Sequence, residues 1–343
     1  MNLGCAASNF FPLVDTPDRS IKARFSFGLP RNGEGIPRSN YPFWGILGAQ
    51  RRPILVVMRG LVATLTALGL TALMLAGGAL AAGNPEIAAL QVGLRDRGLY
   101  RGTVDGVLGP GTQNAVMRFQ RRAGLPADGV PGKRTRRAFG RYGKRAPLGR
   151  RPLVLGMRGW DVAALQFVLA WHGFPSGVFD GHFGSHTYEA LRRFQRREGM
   201  AADGIAGLET FAALSGPIPR SPLTMARPLI GPIGDVFGPR GNRFHAGLDF
   251  PAPKGAAIGA ARAGQVEFAG WGGTSWGNLV VIAHGDGVRT LYAHLSRMPV
   301  KPGKNVRSGS TIGYVGSSGR ATGPHLHFEV TVRGANVDPL STF

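Results

Sequence analysis

Cysteine is almost absent: Cys5 is the only one in 343 residues. No disulfide can close within one chain, and a structural zinc knot built on thiolates is excluded. Acidic residues are scarce too. Nineteen Asp and Glu stand against 41 Lys and Arg, a formal net charge of +22, which points to an anionic partner or to a solvated basic coat. There is no His-Glu-x-x-His segment, so the helix that holds a metal through that motif is ruled out. No nucleic-acid-binding motif accompanies the charge, and nucleic acid is not expected as a partner. Residues 1–57 lack sustained hydrophobic periodicity and are rich in proline, glycine and arginine.

What the chain does have is histidine in short patterned runs. Near the C-terminus it reads Gly323-Pro-His325-Leu-His327-Phe-Glu329. In a strand, His325 and His327 project together, about 6–7 Å apart at Cα, while Leu326 and Phe328 turn to the core. Two imidazoles on one face can both bind a metal, or can divide the work between ligand and proton carrier. His245-Ala-Gly-Leu-Asp249 adds a His and an Asp four residues apart. Pro232, Pro239, Pro251 and Pro253 argue against a helix there. In a straight strand the pair would lie about 13 Å apart, so Gly247 is expected to supply a bend. One Asp and two His make a mixed oxygen and nitrogen donor set suited to Zn²⁺, with a position left for water.

Tyr292-Ala-His294-Leu295 closes a strand that follows a Gly285-Asp286-Gly287 hairpin turn. Alternation places Tyr292 and His294 on one face, and His284, before the turn, reads as a surface histidine. Short apolar runs at Leu279–Ala283, Leu291–Leu295 and Leu326–Val330, parted by Gly-rich turns, predict a mainly antiparallel β domain.

Over residues 228–343 these elements resemble the lysostaphin/LytM-type zinc endopeptidases, which cut peptidoglycan cross-bridges. Matched residue by residue, the resemblance implies one Zn²⁺ held by His245, Asp249 and His327, with His294 and His325 as catalytic histidines that are not ligands. His325, beside His327 on its strand, is the expected base; His294 would orient the water or support the oxyanion. Tyr292 and Arg240 are candidate substrate-binding residues, Arg240 for a carboxylate. Trp276 stands where a tyrosine is common and is expected at the groove wall. The residue types fit amide hydrolysis, which needs an activated water and a group titrating near neutrality to carry its proton.

The N-terminal half contains a repeat with a 75-residue offset. Ala89-Leu90-Gln91 recurs as Ala164-Leu165-Gln166, Asp105-Gly106 as Asp180-Gly181, Phe119-Gln120 as Phe194-Gln195, and Asp128-Gly129 as Asp203-Gly204. Each unit reads as three helices separated by Asp-Gly turns, with apolar stripes such as Ala115/Phe119 and Ala190/Phe194 as core. The units, at 85–140 and 157–215, resemble tandem peptidoglycan-binding modules, and their turn aspartates read as structural. The fold expected is thus multidomain: two small all-α three-helix modules before a β catalytic domain. A basic linker is expected at 141–156 and a Pro-rich one at 216–227.

Residues 61–82 are apolar and uncharged, follow Arg51, Arg52 and Arg59, and end Ala79-Leu-Ala81-Ala. Residues 58–82 therefore read as a signal peptide, or as a signal anchor if uncleaved. Met58 is the expected start of translation, which leaves 1–57 as a disordered or wrongly assigned extension. Export makes peptidoglycan and anionic wall polymers the expected partners, with membrane contact only through the signal segment. The function expected is a secreted, wall-associated zinc endopeptidase targeted by its modules. The alternative is a non-catalytic wall-binding or hydrolase-regulating protein that keeps the fold.

Overall fold

A computed structural model describes residues 83–343; the signal segment and the extension expected at 1–82 lie outside the described residues. Among the described residues, no helix is long and apolar enough to cross a membrane.

The repeat folds as expected, into six helices: α1 (Pro85–Asp96), α2 (Pro110–Arg122), α3 (Lys133–Ala138), α4 (Trp160–Trp171), α5 (Ser185–Arg197) and α6 (Leu208–Leu214). Proline at the first position starts α1 and α2, and Asn84 caps α1 by accepting from the Glu86 and Ile87 N–H groups. The repeated glutamines explain the Asp-Gly signature. Gln91 Nε2 donates to Asp105 Oδ1 (2.7 Å) and to Thr112 Oγ1 (3.1 Å), while its Oε1 accepts from Gly106 N (2.9 Å). The same clasp recurs at Gln120, Gln166 and Gln195 with Asp128, Asp180 and Asp203. Backbone N–H groups of Val130 and Ile205, then the glutamines, hold Asp128 and Asp203 below the usual carboxylate range. These aspartates build turns. Because Gln166 is buried, Gln166→Leu would leave the Gly181 N–H unpaired. It should cost about 2–3 kcal/mol, read as a lower urea midpoint.

The modules pack through equivalent helices, α1 against α4. Trp-Asp-Val-Ala-Ala-Leu-Gln-Phe-Val-Leu-Ala-Trp in α4 is apolar on nearly all sides because it serves two neighbours: its own module and α1. The stretch expected as a basic linker at 141–156 belongs to this seam. Tyr142 Oη donates to the Ala89 carbonyl (2.7 Å), and Leu153 pairs with Ala206.

The C-terminal domain is mainly antiparallel β. Its strands are β1 (Gly238–Arg240), β2 (Arg243–His245), β3 (Leu248–Pro251), β4 (Ala257–Gly259), β5 (Gly264–Trp271), β6 (Asn278–Ala283), β7 (Val288–Ala293), β8 (Leu295–Arg297), β9 (Asn305–Val306), β10 (Thr311–Val315), β11 (His325–Val332) and β12 (Ala335–Val337). One sheet runs β12-β11-β7-β6-β5-β9, with β3 also paired to β11; a second runs β4-β10-β8, and β1-β2 is a hairpin. Leu326, Phe328 and Tyr292 from the first sheet and Ile258, Ile312 and Leu295 from the second share one core. The stretch expected as a linker at 216–227 ends inside this domain. Met225 is buried in its core and bonds the Thr342 carbonyl (2.8 Å).

Modules and β domain are also packed together. Trp171 at the end of α4 meets Phe244 and Phe237 edge-on, with ring centroids 5.3 and 6.3 Å away. Repeat-equivalent N–H groups, of Val104 and Phe179, donate to the adjacent carbonyls of Gly241 (2.7 Å) and Asn242 (2.8 Å) in the β1–β2 turn. The repeat thus grips the turn twice.

Candidate active site

Antiparallel register brings the chemistry together. On β11, His327 lies directly opposite Asp249 of β3 on one side and Ala293 of β7 on the other. Opposed residues share a face, so the His327 imidazole and the Asp249 carboxylate meet. His245 arrives from β2. Gly247, between them, is not in the left-handed region. The chain bends at Gly247 as expected, and a Cβ there would sit 2.3 Å from the Phe328 carbonyl oxygen, so glycine is also required for close approach to β11.

Three donor atoms converge. His245 Nε2 lies 3.1 Å from both Asp249 Oδ1 and His327 Nδ1, and His327 Nδ1 lies 2.8 Å from Asp249 Oδ1. The protons can be assigned from their partners. His245 Nδ1 lies 2.9 Å from the Val236 carbonyl, which can only accept, so Nδ1 carries the hydrogen and Nε2 is bare. His327 Nε2 donates to Glu329 Oε1 at 2.9 Å, leaving Nδ1 bare. Three lone pairs then face one another and repel unless a cation lies among them. Zinc bonds of about 2.0–2.2 Å would set tetrahedral donors about 3.3–3.6 Å apart, a few tenths wider than this triangle. The site fits Zn²⁺. Without it, His327 takes a second proton: burial opposes this, but the hydrogen bonds it donates to Asp249 and Glu329 outweigh it and raise the imidazole to about 9. Burial likewise opposes an ionised Asp249, but the adjoining His245 and His327 imidazoles outweigh it and hold the carboxyl well below the usual carboxylate range.

His294 and His325 flank the cluster, their rings 4.7 Å apart at the centroids, with His294 5.9 Å from the His327 ring. His294 Nδ1 donates to the Ser318 carbonyl (2.8 Å) and His325 Nδ1 to that of Gly323 (2.9 Å). Both Nε2 atoms are therefore free to accept. Burial lowers the His294 pKa and keeps this ring neutral. It adopts φ 63°, a left-handed conformation uncommon outside glycine, just after β7 ends at Ala293.

That kink corrects one expectation. His294 and Tyr292 do not share a strand face. Tyr292 is wholly buried, its hydroxyl accepting from the Ala261 N–H at 2.8 Å and bonded to Thr290, so it offers no surface to a substrate. Arg240 is exposed, but its guanidinium is engaged by Asp235 and by Asp249 Oδ2 (3.4 Å), the outward oxygen of the cluster carboxylate. Trp276 stands beside the site: its carbonyl accepts from His294 N, and its indole Nε1 lies 3.5 Å from Glu329 Oε1. His284 is remote in bonding terms, held between the Ala263 carbonyl and the Thr290 hydroxyl. Glu329 and Asn336 carry no expectation from the sequence, yet Glu329 orients His327 and accepts from Asn336 Nδ2 at 2.7 Å. Burial pushes the Glu329 carboxyl up, and these partners outweigh it and hold it low. Strand alternation was the available signal, since Glu329 is two residues past His327.

Residues 243–339 match the model of Peptidase family M23, and residues 83–139 and 158–214 match that of a putative peptidoglycan binding domain. A DD-carboxypeptidase/endopeptidase Mpg of Neisseria meningitidis serogroup B is 50% identical over 99 residues, 29% of this chain and 23% of its own length. The peptidoglycan DD-endopeptidase ShyC of Vibrio cholerae is 41% identical over 127 residues, 35% of this chain and 28% of that protein. The chain thus spans about a quarter of the curated relatives it matches. The catalytic domain of lysostaphin from Staphylococcus simulans is 34% identical, covering 32% of this chain and 90% of that one with a TM-score of 0.30.

Proposed function

With a C-terminal domain belonging to peptidase family M23 and two peptidoglycan-binding modules before it, we propose that this protein is a zinc-dependent endopeptidase that hydrolyses peptide cross-links of bacterial peptidoglycan outside the cytoplasm. The observation that carries the reading is the convergence of three bare donors, on His245, Asp249 and His327, beside two further histidines whose Nε2 atoms are free. Zn²⁺ bound there would supply the Lewis acidity and water activation that amide hydrolysis needs at neutral pH.

The chain's own groups do the rest. His325 Nε2 accepts the proton of the attacking water and returns it to the leaving amine. His294, fixed by Ser318 with Nε2 as acceptor, holds the water in line; in its neutral form it cannot donate to an oxyanion. Arg240, itself paired with Asp235, contacts the outer oxygen of Asp249 and leaves Oδ1 to the ion that would bind. The modules raise the local concentration of cleavable bonds by retaining the enzyme on its immobile substrate.

Purified protein should carry about one zinc ion per chain. Incubated with purified sacculi of defined cross-link type, it should release new amino termini at the cross-link, and removal of metal by a chelator should stop this. A protein that kept no zinc and released no amino termini would be the non-catalytic wall-binding alternative.

A further inference from the structure

One residue links the second module to the candidate zinc ligands. Asn336 lies on β12, a three-residue strand at the end of the main sheet that pairs only with β11. Such a short edge frays unless something covers it. Here the second module covers it. The Asn336 N–H donates to the Gly173 carbonyl (3.0 Å), just past the end of α4, and Ala335 is part of that module's apolar core with Leu169, Phe174 and Phe194. The Asn336 side chain points the other way. Its Nδ2 donates to Glu329 Oε2 at 2.7 Å and lies 3.5 Å from the carbonyl of Ala246, next to His245. Glu329 Oε1 in turn accepts from His327 Nε2 at 2.9 Å. Three hydrogen bonds therefore join the module backbone to an imidazole of the metal cluster. Glu329 is only 6% exposed, so water cannot readily replace the amide.

Resting on the zinc reading of this site, we propose that the second module is a positioning element of the metal centre: it fixes Asn336, whose amide aims the Glu329 carboxylate at His327 Nε2. A ligating histidine keeps its ring angle and tautomer only if the partner of its other nitrogen is itself held. With Asn336 displaced, Glu329 can turn away and His327 loses the bond that directs Nδ1 to the metal. The module that binds the wall is thus also part of the scaffold of the site that cuts it.

The repeat provides its own control. Gly98 and Gly173 are equivalent positions, 75 residues apart, both left-handed, with φ 68° and 87°. An alanine Cβ at Gly173 would sit 2.3 Å from the Asn336 carbonyl oxygen and 2.6 Å from its nitrogen; at Gly98 it would meet nothing within 4 Å. Gly98→Ala and Gly173→Ala carry similar backbone strain, but only the second strikes β12. Zinc affinity of the full chain, by chelator competition, and the visible spectrum of the Co²⁺-substituted protein would be compared for both and for Asn336→Asp. That last change keeps the shape of Asn336 and replaces the donor with a carboxylate facing Glu329. Gly173→Ala and Asn336→Asp should each weaken zinc about 10–100-fold and alter the cobalt spectrum, with Gly98→Ala matching wild type. Equal zinc affinity for Asn336→Asp and wild type would overturn the proposal, even if Gly173→Ala failed to fold. So would equal effects of the two glycine variants. A wild-type chain that bound no zinc would fail differently, overturning the zinc reading itself and this proposal with it.

Discussion

Replacing His327 by alanine is expected to empty the zinc site and abolish hydrolysis, whereas His325→Ala and His294→Ala should keep the metal and lose turnover. His327 contributes one of three donors and is the only one held by both Asp249 and Glu329. Its loss leaves two donors and a buried carboxylate without its partner. His325 is different: its Nε2 lies 3.8 Å from Asp249 Oδ1, beyond hydrogen-bond reach, and its Nδ1 is committed to the Gly323 carbonyl. It stands beside the donor triangle without completing it. Loss of a general base costs about 10²–10⁴-fold in rate, and His325→Ala should fall in that range at unchanged zinc content. His294→Ala should fall comparably, and His284→Ala should stay near wild type because both of its ring nitrogens are used on the far side of Thr290. Metal content measured alongside rate for each variant decides the division. A zinc-free His325→Ala protein, or equal losses for His284→Ala and His294→Ala, would show the roles to be wrongly divided.

The separate motifs of the candidate site were legible because the spacing within each is local, while their assembly rests on pairing between distant strands. Period-two spacing puts His325 and His327 on one side of β11 and sends Leu326 and Phe328 to the core, where both are fully buried. The Asp-Gly turns were legible for the same reason, though the glutamine that closes each one shows its purpose only when the turn folds back on its helix. Other features depend on contacts between distant residues. Alternation would carry His294 along with Tyr292, but the left-handed turn after Ala293 separates them, leaving the tyrosine in the core and the histidine at the site. Asn336 gains its meaning from Gly173, a partner in a different domain. The packing between modules and β domain left a trace in the repeat itself. Where the first unit has Asp96 and Val104, the second has Trp171 and Phe179; the tryptophan is what Phe237 and Phe244 pack against. Departures from a repeat marked the interface better than the repeat did.

That interface changes what removal of the modules should do. Wall retention and activity on intact sacculi should fall, as tethering alone requires. If the modules were only tethers, a fragment starting near residue 216 would still cleave a soluble peptide at full rate. The packing predicts otherwise. The cut uncovers Phe237 and Phe244, removes both N–H groups that grip the Gly241-Asn242 turn, and strips β12 of the Gly173 carbonyl and of the apolar cover on Ala335. Two partly re-exposed aromatic rings and their lost edge-on contacts cost roughly 3–6 kcal/mol together, against about 5–15 kcal/mol for a whole domain. The β1–β2 hairpin affected is the one that carries His245 into the site. The fragment is therefore expected to unfold at a lower temperature than the same domain in the full chain, to bind zinc more weakly, and to lose at least about tenfold in rate on a soluble peptide, given that outer partners of metal ligands are worth 10–100-fold. Thermal unfolding, zinc competition and soluble-peptide turnover of fragment and full chain test this directly. A fragment with wild-type zinc affinity and turnover would show that the modules serve retention alone, and that the hairpin and β12 hold their places without them.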